Sequence, residues 1–136
     1  MSAEMVSRIN DSLVEGRLPC AVAFRLAQEL GVEPLQIGQA ADTLGVRISK
    51  CQLGLFGYES GRGRGGKILT PVREVPRDRS SRIRHLASGG DISCASVFRI
   101  AQDRGISRLE AANAVAGLGY HIVECQLGCF KRQAAL

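Results

Sequence analysis

The chain has 136 residues, 45% of them hydrophobic, and carries 18 lysines and arginines against 13 acids for a formal charge of +5. That apolar content suits a packed core and excludes a disordered tail, and no run approaches the roughly 18 apolar residues that a membrane span needs. Six aromatic residues and no Trp make a poor base-stacking platform for single-stranded nucleic acid.

Glu4, Arg8 and Asp11 interrupt the N-terminus, which therefore lacks the apolar run of a signal peptide and predicts a cytoplasmic protein. Five cysteines, an odd number, are then expected as reduced thiols. Sliding the sequence against itself by 74 positions aligns Arg8–Phe56 with Arg82–Phe130 without a gap, and 20 of the 49 pairs are identical. A unit of that length occurring twice predicts a duplicated small domain with pseudo-two-fold symmetry, not a solenoid.

Each copy opens with a mixed apolar and polar stretch, Val6 to Glu15 or Arg82 to Ser88, that reads as a short helix. A second helix starts at Pro19, where a missing N–H costs nothing, or after an N-cap at Ser93. Ala23, Leu26, Ala27 and Leu30, matched by Val97, Ile100 and Ala101, give it one apolar face until Gly31 or Gly105 stops it. A short turn leads to a third helix with Leu35, Ile37, Ala40, Ala41 and Leu44 inward, ending at Gly45 or Gly119. Val46, Ile48 and Leu53, or Tyr120, Ile122 and Leu127, then read as a strand. Gly57 to Gly66 is expected as a hairpin tip, with Lys67 to Val75 as its return strand. The second copy leaves no room for a comparable wing.

A small residue at Ala27 or Ala101, a glycine four positions later and an apolar Val32 or Ile106 resemble the helix-turn-helix family. The small side chain lets two helices cross closely and the glycine makes the bend. The order of elements resembles a winged helix-turn-helix in two tandem copies. The resemblance implies a mainly α protein with a little β structure, divided as repeat 1 over 1–58, a basic wing or linker over 59–81 and repeat 2 over 82–136. A shared sheet between the copies is expected, since the matching CQLG runs would otherwise be lone edges.

Charge is concentrated between the copies. Residues 1–58 hold five basic and six acidic side chains and residues 85–136 five and four, whereas 59–84 hold eight basic and three acidic. Phosphate neutralisation supplies affinity for DNA, and side chains on a helix in the major groove read sequence. Arg62, Arg64, Lys67, Arg73, Arg77 and Arg79 are therefore the candidate phosphate contacts. Arg62 and Arg64 form an Arg-Gly-Arg run similar to minor-groove hooks. Gln36, Gln39, Arg108 and Asn113 are the candidate base readers, since Gln and Asn pair with adenine and Arg with guanine. Glu33, Asp42 and Glu110 on the same helices repel phosphate, and ordinary solvated helix positions are the competing reading.

Other chemistry finds little footing. Gly61 to Lys67 fits two phosphate-loop patterns on paper, but a strand-like KILTPV follows it and Ile68 replaces the hydroxyl that would hold magnesium. His85 and His121 stand in no catalytic spacing, so no enzyme and no cofactor are expected. Cys20, Cys51, Cys94 and Cys125 are repeat-matched. They are read first as core packing and second as a redox or metal-sensing thiol site, with Cys20/Cys51 and Cys94/Cys125 close together and with Cys129 and His121 as further ligands. The leading expectation is a double-stranded DNA-binding, transcription-regulatory protein. The alternative is a protein-interaction module, with a protein partner or a homodimer.

Overall fold

The computed structural model describes residues 1–62 and 65–132. Among them the first copy contains α1 (Ala3–Asp11), β1 (Leu18–Pro19), α2 (Cys20–Leu30), α3 (Pro34–Thr43) and β2 (Ile48–Ser49). The second contains α4 (Arg77–Leu86), β3 (Asp91–Ser93), α5 (Cys94–Arg104), α6 (Arg108–Gly117) and β4 (His121–Val123). The protein is thus mainly α with a small β content. No helix among the described residues is long and apolar enough to cross a membrane.

Local chemistry sets the helix ends. The Ser2 hydroxyl accepts the Met5 N–H at 3.1 Å to start α1, and Ser93 and Ser107 cap α5 and α6 in the same way. Pro34 opens α3, where Gln36 Oε1 accepts the Glu33 N–H at 2.9 Å in a capping box. Gly31 and Gly105 close α2 and α5 in the left-handed region, with φ of 66° and 64°. Beyond them Val32 and Ile106 donate to Ala27 O and Ala101 O, so both copies end this helix with the same glycine motif.

The sheets differ from the expected ones. β1 pairs in parallel with β2, Leu18 opposite Ile48, and β3 in parallel with β4, Ile92 opposite Ile122. The two sheets are separate and two-stranded. A parallel pair needs a crossover, and the α2–α3 or α5–α6 hairpin supplies it. Among the described residues the predicted shared sheet is therefore absent, and so is the return strand of the predicted wing. Residues 67–75 form no strand, and only a single antiparallel bridge joins Arg62 and Lys67.

The CQLG run is a turn and not a strand. β2 ends at Ser49, Lys50 takes a φ of 48°, Cys51 N–H bonds Phe56 O at 3.1 Å and Gly54 N–H bonds Cys51 O at 2.9 Å. The second copy repeats this with Glu124 at φ 54°, Cys125 to Phe130 at 3.1 Å and Gly128 to Cys125 at 2.9 Å. A tight excursion thus follows the last strand in both copies, including the second, where no wing was expected.

These two turns change places. Cys51, Leu53 and Leu55 pack into the core formed by α4, α5 and α6, and Leu127 packs into the core formed by α1, α2 and α3. A Cβ built on Gly54 would meet Leu109 Cδ1 at 2.6 Å, and one on Gly128 would meet Leu35 Cδ1 at 2.9 Å, so the crossing is reciprocal. Phe24 meets Phe98 at a tilt of 43° with centroids 5.1 Å apart, and Phe56 meets Phe130 edge-on at 6.4 Å. Both are pairs of repeat-equivalent residues touching each other, which is the signature of a two-fold interface. The duplicated chain is a covalent pseudo-dimer in which each copy completes its neighbour's core.

Candidate functional site

The connector leaves the first copy's turn and runs onto the second copy. Ile68 and Leu69 N–H groups both bond Gly54 O, at 2.9 and 3.0 Å, and Leu69 is fully buried. Thr70 N–H bonds Asn113 Oδ1 at 2.8 Å and Val72 N–H bonds Asn113 O at 3.1 Å, laying residues 70–72 along α6. Gly117 lets this happen, since a Cβ there would overlap the Val72 carbonyl.

Three of the four predicted base readers are occupied. Asn113 holds the connector, the Gln36 oxygen caps α3, and the Arg108 guanidinium lies 4.0 Å from the Phe98 ring centroid while donating to Gln52 Oε1. Gln39 is exposed, but it lines a cleft of about 500 Å³ between α3 and the exchanged Leu127–Cys129 turn. Leu35, predicted inward, is 46% exposed in that cleft. It lies two residues from Ile37, about 200° around the helix, and so cannot share its buried face.

The cations divide into bound and unbound groups. Arg62 donates to Leu69 O, Arg79 pairs with Glu110 at 3.6 Å and Arg82 with Asp103 at 3.0 Å. Burial, with Arg62 nearby, pushes the Lys67 ammonium below its ordinary value. Arg64 lies outside the described residues. Arg77 and Arg79, expected in the linker, stand on α4, because the helix starts directly after Pro76. Arg73, Arg77 and Arg84 are exposed and make no ion pair among the described residues. Arg77, Ser81 and Arg84 recur at helical spacing on one side of α4, opposite buried Ser80 and Ile83.

Comparison with protein-family models, curated proteins and solved structures gives no match.

The repeat-matched cysteines gather where the turns cross, where Cys20 and Cys94 act electrostatically on Cys51, and Cys125 and Cys20 on Cys94. Cys51 shares a core with Cys94, and Cys125 packs against the core that holds Cys20. The Gln52 amide donates to Cys20 Sγ and the Gln126 amide to Cys94 Sγ, each at 3.5 Å. Although Cys20 and Cys94 are the first residues of their helices, burial outweighs the helix terminus. The Cys20 thiol is raised and the Cys94 thiol pushed up to about 11. Burial pushes Cys51 up to about 12. Cys125 is the opposite case. The Cys129 thiol hydrogen-bonds its sulfur, backbone amides of the same turn add to this, and its ionisation falls below the ordinary range. Among the described residues no group of three His, Cys, Asp or Glu side chains is placed to hold a metal ion.

Sequence reasoning passed over Arg84 and ranked Cys129 only as an accessory. Arg84 stands seven residues after Arg77, a helical spacing that the connector boundary concealed. Cys129 aligns with Leu55, so it is a position where the copies depart from each other.

Proposed function

We propose that the protein binds the phosphate backbone of double-stranded DNA through the face made by the connector and α4, with little base readout from α3 or α6. The observation that carries this reading is the exposed, unpaired set Arg73, Arg77 and Arg84, two of them on one helix face. Glu74 and Asp78 are the acids beside it, and Asp78 is engaged by Arg104 at 3.6 Å. Three guanidinium groups free of carboxylates can each neutralise a phosphate, a contact that positions without specifying sequence. The paired helices, α2 with α3 and α5 with α6, keep the helix-turn-helix order. In this reading they serve as the scaffold for α4, because three of the four side chains that would read bases are committed elsewhere.

Titration of a mixed-sequence duplex across salt tests it. Log affinity should fall with log salt with a slope of about −3, one unit per engaged phosphate, and replacing Arg73, Arg77 and Arg84 by Gln should abolish most of that slope. Changing the duplex sequence should alter affinity by less than the cost of about one mismatched base pair, ~1–3 kcal/mol. No binding at ~50 mM salt, where phosphate contacts are strongest, would end the DNA reading and favour protein docking at the α3 cleft.

A further inference from the structure

We propose that Cys125 and Cys129 form a two-thiol oxidation site, in which Cys125 attacks a small hydroperoxide and Cys129 resolves the product to an intramolecular disulfide. The two residues sit on one tight turn, tied by Gly128 N–H to Cys125 O at 2.9 Å and by Cys125 N–H to Phe130 O at 3.1 Å. The neighbouring Cys129 thiol and the amides of Leu127, Gly128 and Cys129 hold the Cys125 thiol below the ordinary cysteine range. Such a cradle stabilises a thiolate, the form that attacks peroxide. Cys129 is exposed and lines the cleft with Leu35, Phe56 and Leu127, a route by which a small hydroperoxide reaches the turn.

The first copy provides an internal control. Cys51 makes the same turn, but Leu55 stands where Cys129 stands, and Cys51 is buried. Among the described residues only the second copy's turn carries two thiols, a half-buried Cys125 and an exposed Cys129. Cys20 and Cys94 are buried and hold hydrogen bonds from Gln52 and Gln126.

The chemistry balances with a hydroperoxide as the two-electron oxidant. The Cys125 thiolate attacks the terminal peroxide oxygen, the O–O bond breaks, and the departing oxygen takes a proton and leaves as water or an alcohol. Cys125 is then a sulfenic acid. The Cys129 sulfur attacks the Cys125 sulfur, the S–O bond breaks and hydroxide leaves with the Cys129 proton as water, closing the S–S bond. The bond closes around Gln126–Gly128, the loop whose Leu127 fills the first copy's core, so oxidation pins the exchanged turn in place.

Peptide mapping of the full chain after treatment with hydrogen peroxide tests this. The expected result is a loss of about 2 Da in the peptide carrying both residues, reversed by dithiothreitol. Cys129→Ser should stop at a sulfenic acid on Cys125 that a dimedone probe labels, and Cys125→Ser should leave Cys129 unoxidised. In untreated protein at neutral pH, iodoacetamide should label Cys125 at least about tenfold faster than Cys51, a comparison that needs no variant. Oxidation appearing first at Cys20, Cys51 or Cys94, equal labelling of Cys125 and Cys51, or disulfides only between molecules would each overturn the proposal.

Discussion

Ile9 in α1 and Ile83 in α4 are repeat-equivalent and both fully buried, yet the outer faces of these two helices share little. Ala3, Asn10 and Asp11 in the first copy become Arg77, Arg84 and His85 in the second. One ion pair is kept, Arg8 with Glu29 and Arg82 with Asp103, at equivalent positions. The second copy adds Arg79 with Glu110, where the first has Met5 and Gln36. The copies therefore keep apolar side chains at most positions that enter a core and keep the ion pair that braces the first helix on the second, and diverge most in the charge of the outer faces of α1 and α4. Packing constrains the shared positions, and the departures mark where the second copy took on a task of its own.

Breaking the exchange should have the largest effect. Gly38 aligns with Ala112, but a Cβ at Gly38 would overlap the Leu127 carbonyl, so the copies are not interchangeable here. Gly38→Val should cost about 3 kcal/mol in urea unfolding, at the upper end of overpacking penalties, because a backbone carbonyl cannot rotate aside. Leu53→Ala and Leu127→Ala should each cost about 2–5 kcal/mol, and each should lower the single unfolding transition of the whole chain.

Alkali should weaken the protein next. Cys51 and Cys94 have folded-state ionisations raised above their ordinary value of 9.0, to about 12 and about 11. Below pH 9 both are protonated whether folded or not, and their contribution is fully present. As pH rises through that window only the unfolded chain releases the protons, so stability falls. Thermal unfolding at pH 8 and pH 10.5 should show the loss, and Cys51→Ala should reduce its pH dependence.

The solvent faces should give the smallest stability effects. Arg84→Asn, which installs the residue of the first copy, should leave the unfolding midpoint unchanged and reduce the salt slope of duplex binding by about one unit. Arg8→Ala and Arg82→Ala should each cost less than about 1 kcal/mol, as expected for exposed ion pairs, and by similar amounts because the pairs are equivalent. A much larger cost for Arg82 would show that α4 depends on its charges for docking and not only on Ile83.

The duplication, the helix pairs and the glycine caps were legible because periodicity and chain punctuation are local properties. Gly31 and Gly105 end their helices as their positions demand. The CQLG run misled for the same reason. Apolar Leu53 beside β-branched Ile48 looks like a continued strand, and only the third dimension shows that Lys50 turns the chain and sends Leu53 into the other copy. Charge counting located the cationic region correctly but could not say which arginines have carboxylate partners. Asp103 and Glu110 lie more than 20 residues from Arg82 and Arg79, and the pairing depends on how α4 docks. Helical position places Asn113 outward, and the connector that covers it carries no signal of its route in the sequence.

Hydrogen exchange on full-length Leu53→Ala and Leu127→Ala, read peptide by peptide, tests the reciprocal exchange most directly. Leu127→Ala should speed exchange first in α2 and α3, and Leu53→Ala first in α5 and α6, each lesion appearing in the opposite half of the sequence. If each substitution instead loosens the helices of its own copy and spares the other, the halves are independent and the interlocked pseudo-dimer is wrong.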